Sequence, residues 1–371
     1  MPDTPKIREV SFEDYQQVAS LAARYGLEFE SYDEWKHLLV NSPAYRQFQA
    51  KWPIGWVLET CSRQIVGYIG NIPLAYELEG KRLIAATARA WVVDSRYRGY
   101  AIVLLNLFLT QRGVDLQVNT SLASRGGHKA FRTLGGAPIP APIRQEAAFW
   151  ITRYRRFAES ALAMKGVLSP QILSYPVSFL LRLRNARSCT YAHSARIQVE
   201  SCGAFDERFD EFWNALKKEK RHVLLAERTS RALQWHFEYA LRENKAWVFA
   251  VGDGSNLIGY SIFCRNDNPR FRLKRVRLVD IQVLSKNPEV IAQMLAAAVN
   301  RCRDEDIYML EVAGCYLDKA DIIQSLAPYK RHTGEWHYLY RANKKELTRL
   351  LEDRNVWDPS LFDGDASLCT P

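Results

Sequence analysis

Trp91-Val92-Val93-Asp94-Ser95-Arg96-Tyr97-Arg98-Gly99-Tyr100-Ala101-Ile102-Val103-Leu104-Leu105 is the stretch whose reading decides the fold. The apolar run Ile84 to Val93 leads into it and reads as a strand. Asp94 and Ser95 punctuate that run. From Ala101 to Gln111 the pattern becomes helical, with only Asn106 and Thr110 polar before its end. Such a turn is expected to point several backbone N–H groups at one spot, where a helix begins. First-turn N–H groups lack helical partners and the helix dipole favours anions, so the expected ligand is a phosphate or pyrophosphate. Arg96 and Arg98 add positive charge, and Gly99 lets the backbone come close.

Outward from this turn, the N-terminal side reads as a strand at Lys6 to Ser11, a helix from Phe12 to Arg24 and a helix from Tyr32 to Val40 capped by Ser31. Strands follow at Gly55 to Thr60, Ile65 to Tyr76 and Leu83 to Val93, the last two joined by a hairpin at Glu79-Gly80. After the turn come a strand at Val114 to Thr120 and a helix at Ala123 to Leu134, closed by Gly135-Gly136. Residues 197–345 repeat this order, ending on a last strand at Trp336 to Tyr340. There the corresponding turn is Leu284-Ser285-Lys286-Asn287-Pro288-Glu289. It has no Gly, Pro288 removes a donor, and Glu289 would repel a phosphate.

Composition narrows the class. The chain has 371 residues, 47% hydrophobic and 12% aromatic, a length that suits two domains. Seven scattered Cys without a Cys-x-x-Cys pair imply reduced thiols in a cytosol, and no apolar run is long enough to span a membrane. The net charge of +10 is uneven. Residues 1–150 hold 17 basic and 14 acidic side chains, residues 197–371 hold 26 of each, and residues 151–196 hold eight basic and one acidic. This middle segment is expected to be a basic connector. Its stretch Val177-Ser178-Phe179-Leu180-Leu181-Arg182-Leu183-Arg184 is amphipathic, suited to packing between domains or to lying on a membrane surface. There is no Gly-x-Ser-x-Gly elbow, no Walker loop and no cluster of metal ligands, so no metal is expected.

Arg98-Gly99-Tyr100-Ala101-Ile102-Val103 resembles the Arg/Gln-x-x-Gly-x-Gly/Ala turn of the GNAT acyltransferase superfamily, with Ala101 and Val103 in place of two small or Gly positions. The order of elements over residues 6–150 resembles that fold as well. The resemblance implies an α/β (α+β) chain of two GNAT-like domains, each a mixed, mainly antiparallel sheet flanked by helices. The implied division is an acyl-donor domain at 1–150, the connector at 151–196, a domain lacking the phosphate turn at 197–345, and a C-terminal tail at 346–371. In the family the fourth and fifth strands splay and the acyl-pantetheine arm of coenzyme A lies between them. Donor contacts are then implied for Trp91, Val92 and Val93 at a strand bulge, for Arg98, Gly99, Tyr100, Ala101, Ile102 and Val103 in the turn, and for Asn119. The family's next helix places Ser124 and Phe131 against the donor, with Phe131 where a proton-donating Tyr is usual.

His128 shares the face of Ser124 and Phe131 and is the candidate acid or base; Glu59 and Asp94 are the nearest carboxylates, with Asp94 reading as a turn residue. Thr120 and Ser121 end the fifth strand, where an acceptor would sit. Asp280 interrupts an apolar strand and implies either a salt bridge to a neighbouring Arg or a ligand for a cationic acceptor. Arg270, Arg272, Lys274, Arg275 and Arg277 suit an exposed hairpin or a phosphate-binding face. The reading is a cytoplasmic acyltransferase moving an acyl group from a coenzyme A or acyl-carrier-protein thioester to a small-molecule or peptide amine. Two others stay open: a FemABX-like aminoacyltransferase, with an aminoacyl-tRNA as its nucleic-acid partner, and a non-catalytic acyl-CoA-binding or scaffold protein.

Overall fold

The computed structural model describes residues 4–47, 52–121, 125–140, 146–186, 197–253, 255–314, 319–333 and 338–368. The N-terminal half runs β1 (Lys6–Glu9), α1 (Tyr15–Arg24), α2 (Tyr32–Val40), β2 (Gly55–Glu59), β3 (Ile65–Leu78), β4 (Lys81–Val93), a 3-10 helix (Ser95–Tyr100), α3 (Ala101–Thr110), β5 (Leu116–Asn119), α4 (Arg125–Thr133) and β6 (Ala137–Pro138). Local chemistry sets several of these bounds. The Ser31 hydroxyl accepts from Glu34 N at 3.3 Å and starts α2. Glu79 and Gly80 both have positive φ, the geometry of a tight two-residue hairpin turn.

The middle segment holds β7 (Glu146–Ile151), α5 (Tyr154–Met164) and α6 (Pro170–Ala186). The C-terminal half runs β8 (Val199–Cys202), α7 (Glu207–Glu219), β9 (Leu225–Ala226), α8 (Ser230–Arg242), β10 (Ala246–Asp253), β11 (Asn256–Arg265), β12 (Arg275–Val283), α9 (Pro288–Asp304), β13 (Met309–Val312), α10 (Ala320–Leu326), β14 (Tyr329–His332), β15 (Leu339–Ala342) and α11 (Lys345–Leu351). Asn287 caps α9 through its side-chain oxygen and Pro288 takes the first helical position, where no donor is missed.

These elements form two mixed sheets flanked by helices. One has the order β1-β2-β3-β4-β5-β15-β6 with β9 on β3, the other β14-β7-β13-β12-β11-β10-β8. The last strand corrects the expectation that it closes the second repeat. β15 pairs with β5, Leu339 opposite Asn119 and Ala342 opposite Leu116, so it belongs to the first sheet; Trp336 lies outside the described residues. In return β7 leaves the N-terminal half and pairs with β13 in the second sheet, Phe149 opposite Glu311. β7 is buried over five of its six residues and β15 over two of its four, and burial alone does not say which sheet a strand joins.

The segment beyond α11 is no loose tail. Leu361 and Phe362 enter the core shared by the two sheets, and Leu368 packs in the cluster that holds Val92 and Trp235. Polar groups fix this strap at intervals. Asp358 accepts from Lys220 and Lys319 at 2.7 and 2.9 Å, Asp363 from Arg228 at 3.3 Å, and Ser367 meets His236 at 2.7 Å. No described helix is long and apolar enough to cross a membrane.

Candidate active site

The β3–β4 ladder pairs Tyr68 with Val92 and Gly70 with Arg89, so Ala90 and Trp91 together face one residue, Ile69. This is a β-bulge, and Ala90 sits at φ +52°. An L-residue there costs about 1–2 kcal/mol, which the surrounding sheet must offset. Gly70 makes the crossing feasible: a Cβ there would lie 2.9 Å from Arg89 O. The bulge overlaps the expected stretch Trp91, Val92 and Val93 at Trp91 alone, Val92 and Val93 being regularly paired with Tyr68 and Gly67.

Beside it, β4 and β5 pair in parallel only at Ala85–Leu116 and Ala86–Gln117. Past that point residues 87–93 stay on β3 and residues 118–119 on β15, and the ladder between β4 and β5 is interrupted, leaving a gap in their pairing. Thr87 Oγ1 and Trp91 Nε1 on one strand, and Asn119 Oδ1 on the other, are buried without a hydrogen-bond partner. Leaving such groups unsatisfied costs about 1–3 kcal/mol each. They comprise a donor, an acceptor and a hydroxyl that is either, which is the complement of an amide-bearing arm.

The turn differs from expectation. Ser95–Tyr100 is a 3-10 helix, and its leading donors are already taken. Ser95 N donates to the Tyr25 hydroxyl at 2.8 Å, Arg96 N to Asp94 Oδ1 at 3.1 Å, and Tyr97 N to Asp94 O at 2.8 Å. Asp94 is therefore a capping residue. Its hydrogen bond from the Arg96 side chain holds the carboxyl below its usual range. Arg96 is thereby occupied, whereas Arg98 is exposed and its guanidinium makes no hydrogen bond or ion pair among the described residues. Gly99 is exposed, with open space where a Cβ would stand. Tyr100 and Ala101 are half-buried, while Ile102 and Val103 face solvent on the first turn of α3.

On α4, Phe131 is a core residue and His128, one turn earlier, is half-buried. Gly136 leaves the space that the Phe131 ring fills. Ser124 lies outside the described residues.

Thr120 and Ser121 are engaged from within the chain. Thr120 N and Oγ1 donate to Asp365 Oδ1 at 2.8 and 3.1 Å, Ser121 N donates to the same oxygen at 3.1 Å, and the Ser121 hydroxyl donates to Asp365 Oδ2. Gly364, at φ +101°, allows this approach, since a Cβ would meet Thr120 at 2.8 Å. Sequence reasoning missed Asp365; the alternation of Asp358, Asp363 and Asp365 with Leu361, Phe362 and Leu368 was the available signal.

Glu59 sits at the end of β2, bonded by Arg8 at 2.9 and 3.1 Å, and that contact holds its carboxyl below the usual range. Asp280 does bind a cation, but it is the chain's own Arg228, at 2.8 and 3.2 Å. Tyr260 and Gln282 add hydrogen bonds at 2.9 and 3.0 Å. Burial pushes the Asp280 carboxyl up, and the Arg228 charge overrides it and keeps the group ionised. Arg275 and Arg277, read as parts of an exposed face, instead reach the buried Glu311 at 3.2 and 2.8 Å. No described group of His, Cys, Asp or Glu is arranged to hold a metal.

No family model and no curated protein matches the sequence. Solved structures do match in shape. N-myristoyltransferase of Saccharomyces cerevisiae with bound myristoyl-CoA superposes with a TM-score of 0.56 at 10% identity, over 92% of this chain and 80% of that one. A GCN5-related N-acetyltransferase from Anabaena variabilis gives 0.55 at 15% identity, over 91% and 72%. A probable N-acyltransferase of unknown function from Enterococcus faecalis gives 0.56 at 11%, over 91% and 73%. The bulged and splayed strands, the two mixed sheets and these neighbours agree that the chain has the fold of the GNAT-type N-acyltransferases.

Proposed function

We propose that this chain is a cytosolic N-acyltransferase that takes its acyl group from a coenzyme A thioester. The donor is held by residues 1–150, and residues 197–345 shape the acceptor side in a tandem arrangement. The observation that carries this is the β4–β5 gap, bordered by a strained bulge and by three buried polar atoms lacking partners. Thr87, Trp91 and Asn119 would hold the amides of the pantetheine arm. Arg98 would meet a phosphate as the uncommitted cation of the turn. A thioester supplies an acyl carbon open to attack by an amine, with the thiolate as leaving group. The bulge leaves two residues, Ala90 and Trp91, opposite one on β3, and the backbone N–H freed there would polarise the acyl carbonyl. Phe131 holds no proton, so the imidazole of His128 is the candidate to pass one to the leaving sulfur. Glu59, bonded by Arg8, is poorly placed to act as a base.

A second reading has its own observation. Asp94 closes the turn while the gap stays polar and unsatisfied, which favours a donor recognised through its pantetheine arm, such as an acyl carrier protein. Native mass spectrometry and free-thiol release with acyl-CoA, acyl-pantetheine and an acylated carrier protein test both. Retained acyl-CoA and thiol release dependent on an added amine support the first reading; turnover with the carrier protein alone supports the second. Absence of retained ligand together with no thiol release from any donor rejects the enzyme. His128→Ala should lower turnover about 10²–10⁴-fold if the imidazole is the acid and leave it nearly unchanged if the thiolate leaves unaided.

A further inference from the structure

We propose that α6 is a docking surface for an anionic lipid membrane. The helix is oriented opposite to the usual rule for a soluble protein. Its small polar side chains face the protein: Ser174 and Ser178 are 0% and 8% exposed, with Leu181 and Asn185 half-buried on the same side. Its large apolar side chains face out: Ile172 is 70% exposed, Phe179 61%, Leu180 63% and Leu183 47%, joined by Leu173 and Tyr175. At about 100° per residue these six positions cover an arc of roughly 160°. Of the fourteen large apolar side chains exposed among the described residues, eight lie between Met164 and Leu183. An apolar patch this concentrated on a water-facing helix marks an interaction surface.

Charge selects the occupant. Arg182 and Arg184 fall at the two edges of the arc, and residues 151–196 carry eight basic side chains against one acidic, a net +7. An apolar face with cations at its borders is the pattern of a helix lying in the plane of a bilayer, with arginines at headgroup level. A second copy fits poorly, because a two-fold contact through this face would bring the arginines of both copies together. The helix is held firmly enough to present its face. The Tyr329 hydroxyl donates to Leu181 O, and the Arg182 guanidinium lies 5.6 Å from the Tyr154 ring centre. At 17 residues with two arginines near its end it lies on a bilayer rather than crossing it.

The test is co-sedimentation of the full chain with vesicles of phosphatidylcholine alone and of phosphatidylcholine mixed with phosphatidylglycerol. Wild type should partition onto the mixed vesicles at low salt and release at high salt. F179E/L183E should reduce partition by at least about tenfold. R182Q/R184Q should reduce it about fivefold per arginine on the mixed vesicles only. L350E, at an exposed Leu elsewhere, should leave it unchanged. Should the double variant fail to fold, L180E serves in its place, because that side chain is the more exposed. Lack of binding to mixed vesicles, or equal binding by wild type and F179E/L183E, overturns the proposal. So does a dimer in analytical ultracentrifugation that F179E/L183E splits, since the face would then belong to a second copy.

Discussion

The two sheets carry the same device twice and use it differently. β4 and β12 are both bulged, at Ala90–Trp91 and at Val279, and each pairs in parallel with the next strand for only two or three residues before the strands part. In the second sheet the chain fills the space with its own groups. Asp280 is saturated by Arg228, Tyr260 and Gln282, and Arg228 also reaches Asp363 of the C-terminal strap. At the turn, Ser285 N donates to both carboxylate oxygens of Glu219 at 3.0 Å, so an internal anion sits at the backbone donor. In the first sheet four buried side-chain atoms on the two parting strands, Thr87 Oγ1, Trp91 Nε1, Gln117 Oε1 and Asn119 Oδ1, lack hydrogen-bond partners, against one, Gln282 Oε1, on those of the second. The same strand geometry thus carries a saturated internal ion pair in the second sheet and more unsatisfied polar atoms in the first.

The largest expected effect falls on the second sheet. Asp280→Asn removes the main counter-charge of a fully buried Arg228. It should cost about 3–5 kcal/mol in urea unfolding, because the remaining charge is uncompensated. A loss within experimental error would mean that Asp363 alone satisfies Arg228, and the contrast between the sheets would weaken.

Acid should undo the strap that links the two. His236 is buried against Ser367, and burial pushes its pKa down to about 3. The unfolded chain binds this proton near pH 6.5 and the folded chain does not, so stability is full above that value and falls as pH drops towards 3. Between pH 7.5 and 4.5 this group should contribute a loss of about 2–3 kcal/mol, which His236→Gln removes. Urea midpoints of both proteins at the two pH values decide it; parallel losses would place the acid sensitivity elsewhere.

The first sheet is probed more gently. Arg98→Ala should weaken coenzyme A about tenfold in calorimetric titration and leave pantetheine unaffected. Equal losses for both ligands would point to a damaged turn instead of a lost phosphate contact. Asn287→Ala in the second turn should leave coenzyme A affinity unchanged. Smallest is Gly99→Ala: nothing stands within 4 Å of its Cβ, so stability should move by less than about 0.5 kcal/mol. Any fall in coenzyme A affinity from that change would then report the ligand's own approach.

The sequence by itself determined the elements on either side of the turn and their order, though not β7 or α5, because those it did determine follow from short-range chemistry. Period-3.6 apolar positions such as Phe209, Phe212, Trp213 and Leu216 all turned inward on α7. Glu79-Gly80 made its hairpin, and Asp94 acted as the turn residue its type suggests. Pairing between distant strands was decided only by the tertiary structure. Neither β7 nor β15 carries a local mark of the sheet it joins, since any half-buried strand offers the same backbone donors and acceptors. The fate of isolated polar groups was hidden for the same reason. Thr120 and Ser121 met Asp365, 244 or more positions away, and Asp280 met Arg228. A carboxylate's role depends on which cation or donor the fold brings within 3 Å. α6 shows the converse: its amphipathic pattern was plain in the sequence, but only packing could decide which face turned to the protein and which was left to solvent.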